Sequence, residues 1–450
     1  MIHAWYRPVT RIIHQAKLKL KIRPGMMRIV NGTQFSAYGN PIQVFLLLLV
    51  TVISACSTVN SERETEEFLR EHIEWLSGEE RAGRLAGSAE EAATANYLEN
   101  IFLQFGLEPA GDEDTYVQQF VLSGPMPEAM GVENYQSRNV LGLIRGTEFQ
   151  NQYIIVGAHY DGQGNGGMIS MNHGGEPSIH YSADDNASGT SGLLLLAKRF
   201  AENPARRSVL FAAFSGEELG LIGSRHMADH LEMPRDSLLA MINLDMIGRL
   251  DGSGVTIFGT GTSSAWSSIL RKTPVPDSLT IVSAPSGTGA SDHTSFYDIN
   301  IPVLHYFSGI HDQYHRESDT AELIDYTGMM MILDHAEGVV RNLAEYSPEE
   351  VTFTETAGGR PEGMPSGTVT LGVFPDYTWS GNGFRLDGVN KGSVAERGGI
   401  EPGDVIIRMD DMEITDIYDY MEALAEFSIG QSVDVIVNRN GETVELRITF

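Results

Sequence analysis

The chain has 450 residues, 42% of them hydrophobic and 48 of them glycine, enough apolar material for more than one packed core and unlike the composition of a disordered chain. Its 31 basic side chains face 60 acidic ones, and the net charge of −29 argues against nucleic acid and anionic lipid headgroups as partners. The single cysteine, Cys56, excludes an internal disulfide.

The charge is unevenly spread. Arg7, Arg11, Lys17, Lys19, Lys21, Arg23 and Arg28 open the chain, and no Asp or Glu occurs before Glu62. Behind this basic region, residues 42–55 (IQVFLLLLVTVISA) form an apolar run too short to cross a bilayer comfortably, in the layout of a secretory signal. Translation from Met26 or Met27 gives that signal an ordinary length. The run ends in Ile53-Ser54-Ala55-Cys56, which resembles the lipobox of bacterial lipoproteins. That resemblance implies cleavage before Cys56, lipidation of its thiol, and an exported chain anchored in a membrane by lipid, facing the periplasm or the cell surface. Residues 1–56 are therefore expected to be a lipoprotein signal region. Processing removes 55 residues, seven basic and none acidic, and leaves 395 residues with a net charge of −36.

Residues 61–347 read as one α/β domain. Two helical stretches are expected between 63 and 105, with Phe68, Ile73 and Leu76, then Ala93, Tyr97, Leu98, Ile101 and Phe102, at helical spacing, and the loop Arg81-Ala-Gly-Arg84-Leu-Ala-Gly-Ser between them. Strands over 139–146 and 152–159 lead into a glycine-rich loop, 162–175; His173 within it and His180 just after it read as solvent-exposed. A helix over 187–203 places its LLLL run against the sheet. Strand-like runs at 208–214, 238–244, 254–258 and 301–306 alternate with helix-like runs at 218–231, 263–272 and 328–345. Such alternation predicts a mostly parallel central sheet with helices on both faces. Residues 348–365, rich in Gly, Pro, Ser, Thr and Glu, read as a linker. Residues 366–450 read as a small β-rich domain with helix-like runs at 393–398 and 415–427 and a hairpin turn at Asn440-Gly441.

Chemistry-bearing residues gather where apolar strands end. The run Ile154-Ile155-Val156-Gly157-Ala158 closes in His159-Tyr160-Asp161, and side chains i and i+2 of a strand share a face, so Asp161 can orient an imidazole that binds a metal. Taken alone, this tripeptide reads more readily as a strand cap than as a site. Four further clusters follow: Ala183-Asp184-Asp185-Asn186 before the LLLL helix; Ser215-Gly216-Glu217-Glu218 after SVLFAAF; Asn243-Leu244-Asp245-Met246; and Tyr314-His315-Arg316-Glu317-Ser318-Asp319 behind IPVLHYF. Adjacent carboxylates at a helix start diverge by roughly 100°, so one can bind a metal while its neighbour reaches a water. Two histidines and three carboxylates suit two ions, with one bridging carboxylate and two further ligands each. No His-Glu-x-x-His helix and no Gly-x-Ser-x-Gly elbow is present.

The ordered motifs HYDG, SADDNASG, GEELGLIGS, NLDM, SDHTSF and YHRESDT resemble the bacterial dizinc aminopeptidases, in the superfamily that includes glutamate carboxypeptidase and glutaminyl cyclase, over about residues 63–346. The resemblance implies a zinc-exopeptidase fold, two Zn2+ per chain and peptide substrates. It implies that His159 and Asp245 bind one zinc, Glu218 and His315 the other, and that Asp185 bridges them. Glu217 then matches the general base, Asp161 the orienter of His159, and Tyr314 a tyrosine that hydrogen-bonds the developing oxyanion. Ser291, Asp292 and His293 fall behind the ligands or in the substrate pocket, and His305 reads as a core residue. Relatives carry Asn-Gly or Pro-Gly before the ADD segment, where this chain has Tyr181-Ser182.

Residues 366–450 resemble a bacterial PDZ domain, through Leu371-Gly372-Val373, the segment from Gly388 to Ile400 and Pro402-Gly403-Asp404-Val405-Ile406. That resemblance implies capture of C-terminal peptides by strand addition near Leu371, Gly372 and Val373. The activity expected is zinc-dependent aminopeptidase action with Glu217 as base. Glutaminyl cyclase and carboxypeptidase of the same fold are the enzymatic alternatives, and a non-catalytic lipoprotein acting through its PDZ domain is the alternative of another class.

Overall fold

The computed structural model describes residues 62–450 except 172–176, 251–253, 357–368, 370, 376–378, 380, 390–392, 416 and 429. The apolar run at 42–55, Cys56, His173 and the later part of the expected linker lie outside the described residues.

The centre of the fold is set by β4 (Phe149–His159). Ile154, Val156 and Ala158 point to one face and Ile155 to the other, as the two-residue period of a strand requires, so both faces are buried. Gly157 has no space for a side chain: a Cβ would lie 2.5 Å from Phe214 and 2.7 Å from Met241. β5 (Arg207–Phe214) and β6 (Leu238–Leu244) pair with β4 on either side, both parallel to it, and β9 (Val303–Phe307) pairs parallel with β6. All four therefore end at the same edge of the sheet.

Outside this parallel centre the pairing changes sign. β1 (Glu108–Pro109) and β2 (Val117–Val121) lie antiparallel to β3 (Gln136–Ile144), which is itself antiparallel to β5. β7 (Val255–Phe258) is antiparallel to β9 and parallel to β8 (Ile281–Ser283). The nine-stranded order is β1-β3-β5-β4-β6-β9-β7-β8, with β2 joined to β3. The sheet is thus mixed, parallel at its centre and antiparallel towards both edges.

One face is covered by the helix over 62–76 and the helices Ala89–Phe105, Gly189–Glu202, Trp266–Lys272 and Tyr326–Leu343. Leu193 to Leu196 are all buried in this layer. In Ala89–Phe105 the inward residues include Ala95, Leu98, Ile101 and Phe102, while Ala93 faces outward. The opposite face takes the short helices Ile222–Asp229 and His293–Tyr297, through Met227, Ala228, Phe296 and Tyr297. The helix expected from 218 begins later because residues 217–221 form a turn, with Leu221 at a left-handed φ of 59°.

The stretch from 348 begins as part of this domain. Val351 is buried, Thr354 N donates to Thr262 O at 2.7 Å, and Thr356 N donates to Tyr297 Oη at 2.8 Å.

The C-terminal residues form a separate six-stranded sheet: β10 (Val373–Pro375), β11 (Phe384–Val389), β12 (Val405–Met409), β13 (Met412–Glu413), β14 (Ser432–Arg439) and β15 (Glu442–Thr449). Asn440 and Gly441 both take positive φ, 53° and 89°, and join β14 to β15 in the two-residue turn that matches strand twist. Leu371, Leu386, Ile406, Val435 and Ile448 are completely buried in its core. The Leu371 side chain is thus structural, while Gly372 takes a left-handed φ of 72° at the approach to β10.

Candidate active site

Each parallel strand delivers one part of the site from its carboxyl end, where open α/β sheets place ligands. β4 ends in His159, with Asp161 two residues on; β5 is followed by Glu217 and Glu218; β6 by Asp245; and the loop after β9 carries Tyr314 and His315. The wide helical turn Ala183–Ser188 adds Asp185 before the helix Gly189–Glu202.

Asp185 lies between the two histidines. Its Oδ1 is 3.3 Å from His159 Nε2 and its Oδ2 is 3.2 Å from His315 Nε2. Asp245 Oδ1 reaches His159 Nε2 at 3.3 Å, and Glu218 Oε2 reaches His315 Nε2 at 3.5 Å. Two groups therefore share one carboxylate: His159, Asp185 and Asp245, and Asp185, Glu218 and His315, each with ligand atoms mutually within 4.8 Å. Glu217 belongs to neither group, and its Oε2 stands 3.9 Å from His159 Nε2. Asp161 Oδ1 lies 3.6 Å from His159 Nδ1, too far for a hydrogen bond, and accepts one from Glu217 N at 3.3 Å. Tyr314 packs its ring on that of His315, centroids 3.9 Å apart.

The electrostatics of this cluster call for a cation. Burial lifts the Glu217 carboxyl well above the carboxylate range, and burial followed by Asp185 brings Glu218 to about 8. Burial would lower His159, yet Asp245, Glu217, Asp161 and Asp185 hold it well above its usual value; against burial, Glu218 and Asp185 bring His315 to about 9. Asp185 is buried too, but hydrogen bonds to both histidines keep it below the carboxylate range. Burial in this crowded pocket thus favours the neutral forms of Glu217 and Glu218. The mixed nitrogen and oxygen donors, the shared carboxylate and the spacing fit a pair of zinc ions.

Residues 139–340 match peptidase family M28, and residues 378–450 match the PDZ domain. Residues 139–340 form an M28 peptidase domain. Aminopeptidase YwaD of Bacillus subtilis is 29% identical over 215 residues, covering 42% of this chain and 41% of that protein. The match thus spans about two fifths of that relative's length. Among solved structures, a zinc aminopeptidase from Bacillus subtilis aligns with a TM-score of 0.51 at 18% identity, covering 64% of this chain and 98% of its own. A glutaminyl cyclase from Bacteroides thetaiotaomicron bound to N-acetylhistamine aligns equally, with a TM-score of 0.51 at 16% identity and coverage of 62% and 97%. At such identities the likeness concerns the fold, which both activities share.

Around these candidate metal-binding residues the M28 domain holds a second layer of polar residues. Ser291 donates to Asp245 Oδ2 at 2.6 Å and accepts from Asn243 Nδ2 at 2.8 Å, which fixes Asp245 with its other oxygen towards His159. Asp292 is fully buried, and burial pushes its carboxyl up to about 7. His293 joins neither ligand group. It stacks on His305, centroids 4.3 Å apart, and burial drives its imidazole well below its usual value.

Several supporting residues carried no role in the sequence reading. Asp319 Oδ2 accepts the N–H groups of Asp184 and Asp185 at 2.9 and 3.1 Å, so the last acid of the YHRESDT motif holds the bridging segment. Asp184 turns away from Asp185, taking Gly248 N at 2.7 Å and approaching His311 Nε2 at 3.2 Å. Gln163 donates to Glu218 Oε1 at 2.9 Å, and the Ile169 carbonyl lies 2.7 Å from His315 Nδ1, which leaves Nε2 to face the acids. The glycine-rich loop therefore orients two ligands. His180, read from the sequence as exposed, is buried: Ser170 Oγ lies 2.7 Å from its Nε2 and the Ser178 carbonyl 2.9 Å from its Nδ1. Ser182 takes a left-handed φ of 52°.

Proposed function

We propose that the chain is a zinc-dependent aminopeptidase holding two zinc ions, one among His159, Asp185 and Asp245 and the other among Asp185, Glu218 and His315. The observation that carries this reading is the division of the two Asp185 oxygens between the two histidines, which makes five ligands serve two ions. Zinc bound there supplies Lewis acidity, which makes water acidic enough to lose a proton near neutral pH and withdraws charge from a carbonyl.

The side chains then divide the work. Glu217, adjacent to the ligands and not among them, takes the proton of the attacking water and passes it to the leaving amine. Asp161 accepts the Glu217 backbone N–H and so holds the base in place, with its carboxylate 3.6 Å from His159 Nδ1. Tyr314, packed on His315, donates its hydroxyl to the oxyanion that forms on the substrate carbonyl. A glutaminyl cyclase working with one zinc has no use for a shared carboxylate, which favours the peptidase. A non-catalytic role for the domain fits poorly with an intact donor set.

The polarity of cleavage is tested with zinc-loaded protein and matched pairs of free and N-acetylated leucyl, methionyl and phenylalanyl anilides. Hydrolysis of the free member of each pair alone is the expected result. Cleavage of acetylated peptides from their carboxyl end would replace the aminopeptidase with a carboxypeptidase.

Lipidation of Cys56 follows from the sequence before it, and the PDZ domain is proposed to bind C-terminal peptides beside Leu371, Gly372 and Val373. Wild-type protein expressed in a Gram-negative host is expected in the membrane fraction, and Cys56→Ser is expected to lose that attachment. Unchanged membrane recovery of Cys56→Ser would rule the lipid anchor out.

A further inference from the structure

Arg84 is among the largest side chains with no solvent exposure, and among the described residues its guanidinium hydrogen-bonds to main-chain carbonyls alone. Nε donates to Tyr160 O at 2.9 Å, Nη1 to Leu76 O at 2.5 Å and to Tyr181 O at 3.2 Å, and Nη2 to Ser182 O at 3.0 Å. These carbonyls come from three separate segments. Leu76 ends the first described helix, Tyr160 lies between His159 and Asp161, and Tyr181 and Ser182 directly precede the turn that carries Asp185.

The backbone around Arg84 is shaped to bring it there. Gly83 and Arg84 both take left-handed φ, 73° and 51°. A Cβ on Gly83 would lie 2.3 Å from Gly164 O, so glycine alone lets this loop close onto the glycine-rich loop. Gly162 N donates to Arg84 O at 3.2 Å and Gly164 N to Gly83 O at 2.9 Å, completing the junction.

We propose that Arg84 is a positioning residue for the metal centre, its planar fork fixing the segment that carries His159 against the segment that carries Asp185. Those two residues flank the same ion, and their 3.3 Å contact requires the two loops to keep one register. An ammonium could not replace the fork, because four carbonyls in separate directions need donors spread over a rigid plane. Burial lowers the Arg84 pKa to about 10, which leaves it charged at neutral pH, and Asp161, Asp319, Asp185 and Glu218 favour that charge. The same side chain therefore offsets part of the negative charge that crowds the pocket when metal is absent.

This inference rests on the zinc centre proposed above, so zinc stoichiometry of the wild-type full chain is measured first. Wild-type protein that binds no zinc would remove the centre itself, independently of Arg84. The variant is Arg84→Gly, because glycine accepts the left-handed φ and leaves a space the size of a guanidinium. Competition with a chromophoric chelator should show zinc binding about 10- to 100-fold weaker than in wild type, the usual effect of losing support behind a ligand. Turnover of a leucyl anilide should fall through kcat with KM unchanged. Millimolar methylguanidinium should restore part of the zinc affinity, and methylammonium should not. Arg84→Lys, titrated in the same way, should also bind zinc at least tenfold more weakly.

Arg207→Ala serves as the comparison. Arg207 is buried at the start of β5, away from the ligand end, and donates to Gln152 Oε1 at 2.8 Å and to the Ala344 carbonyl. It should lose thermal stability and keep wild-type zinc affinity. Wild-type affinity in Arg84→Lys, equal loss of affinity in Arg207→Ala, or recovery of Arg84→Gly by methylammonium would each overturn the assignment.

Discussion

Glu217→Gln is expected to lower hydrolysis of leucyl anilide by about two to four orders of magnitude, the range that a well-placed general base contributes, while zinc content stays at the wild-type level. The substitution keeps the shape of the side chain and removes its ability to accept a proton. Metal content should not respond, because Glu217 lies outside both donor groups, with its Oε2 3.9 Å from His159 Nε2. Its main-chain N–H still donates to Asp161, so the loop after β5 should keep its place and leave Glu218 in position. The measurement pairs steady-state kinetics with elemental analysis of the same sample. Activity within tenfold of wild type would remove Glu217 from the role of base. Loss of zinc would instead make it a ligand.

The pattern that places Glu217 was readable from residue order because a parallel strand buried on both faces has to be apolar throughout. Where such a run is followed by His, Glu or Asp, that residue lies at or beyond the carboxyl edge, and four such runs lead to His159, to Glu217 and Glu218, to Asp245 and to His315 before any pairing is known. The hairpin at Asn440-Gly441 was readable for a similarly local reason, since a positive φ at two successive positions suits Asn-Gly. Strand direction at the edges was not readable. β3 precedes β4 in sequence yet pairs with β5, antiparallel, and β7 runs against β9, because pairing depends on contacts between distant residues that local periodicity does not encode. The supporting polar residues were hidden for a related reason. His180 sits in a glycine-rich stretch that reads as solvated, and its burial is supplied by Ser170 and by the loop around Gly83. Arg84 looks like any loop arginine until the four carbonyls that surround it are brought together from three segments. Asp319 was visible within its motif, but the sequence could not show that its carboxylate holds two backbone N–H groups instead of a metal.

The strongest dependence on a single ligand is expected at Asp185. Each proposed ion has two donors of its own, His159 with Asp245 and His315 with Glu218, and the third donor of both is the same carboxylate. Protein zinc sites are held by three or four side chains, so Asp185→Ala reduces both ions to two and should empty the centre where other losses would affect one side. Zinc content is therefore expected to fall from two ions per chain to below one after dialysis against metal-free buffer. The lost Lewis acidity is worth several kcal/mol of transition-state stabilisation, and at 1.36 kcal/mol per factor of ten this lowers kcat/KM by about three orders of magnitude or more. His315→Ala should behave differently, releasing one ion and leaving His159, Asp185 and Asp245 around the other. His293→Ala should keep both ions, because its ring stacks on His305 and faces no ligand group. Elemental analysis of the three variants, with circular dichroism to confirm their fold, separates these outcomes. Two ions retained in Asp185→Ala would show that the carboxylate does not bridge. Loss of an ion in His293→Ala would move the second histidine ligand from the loop after β9 to the short helix His293–Tyr297.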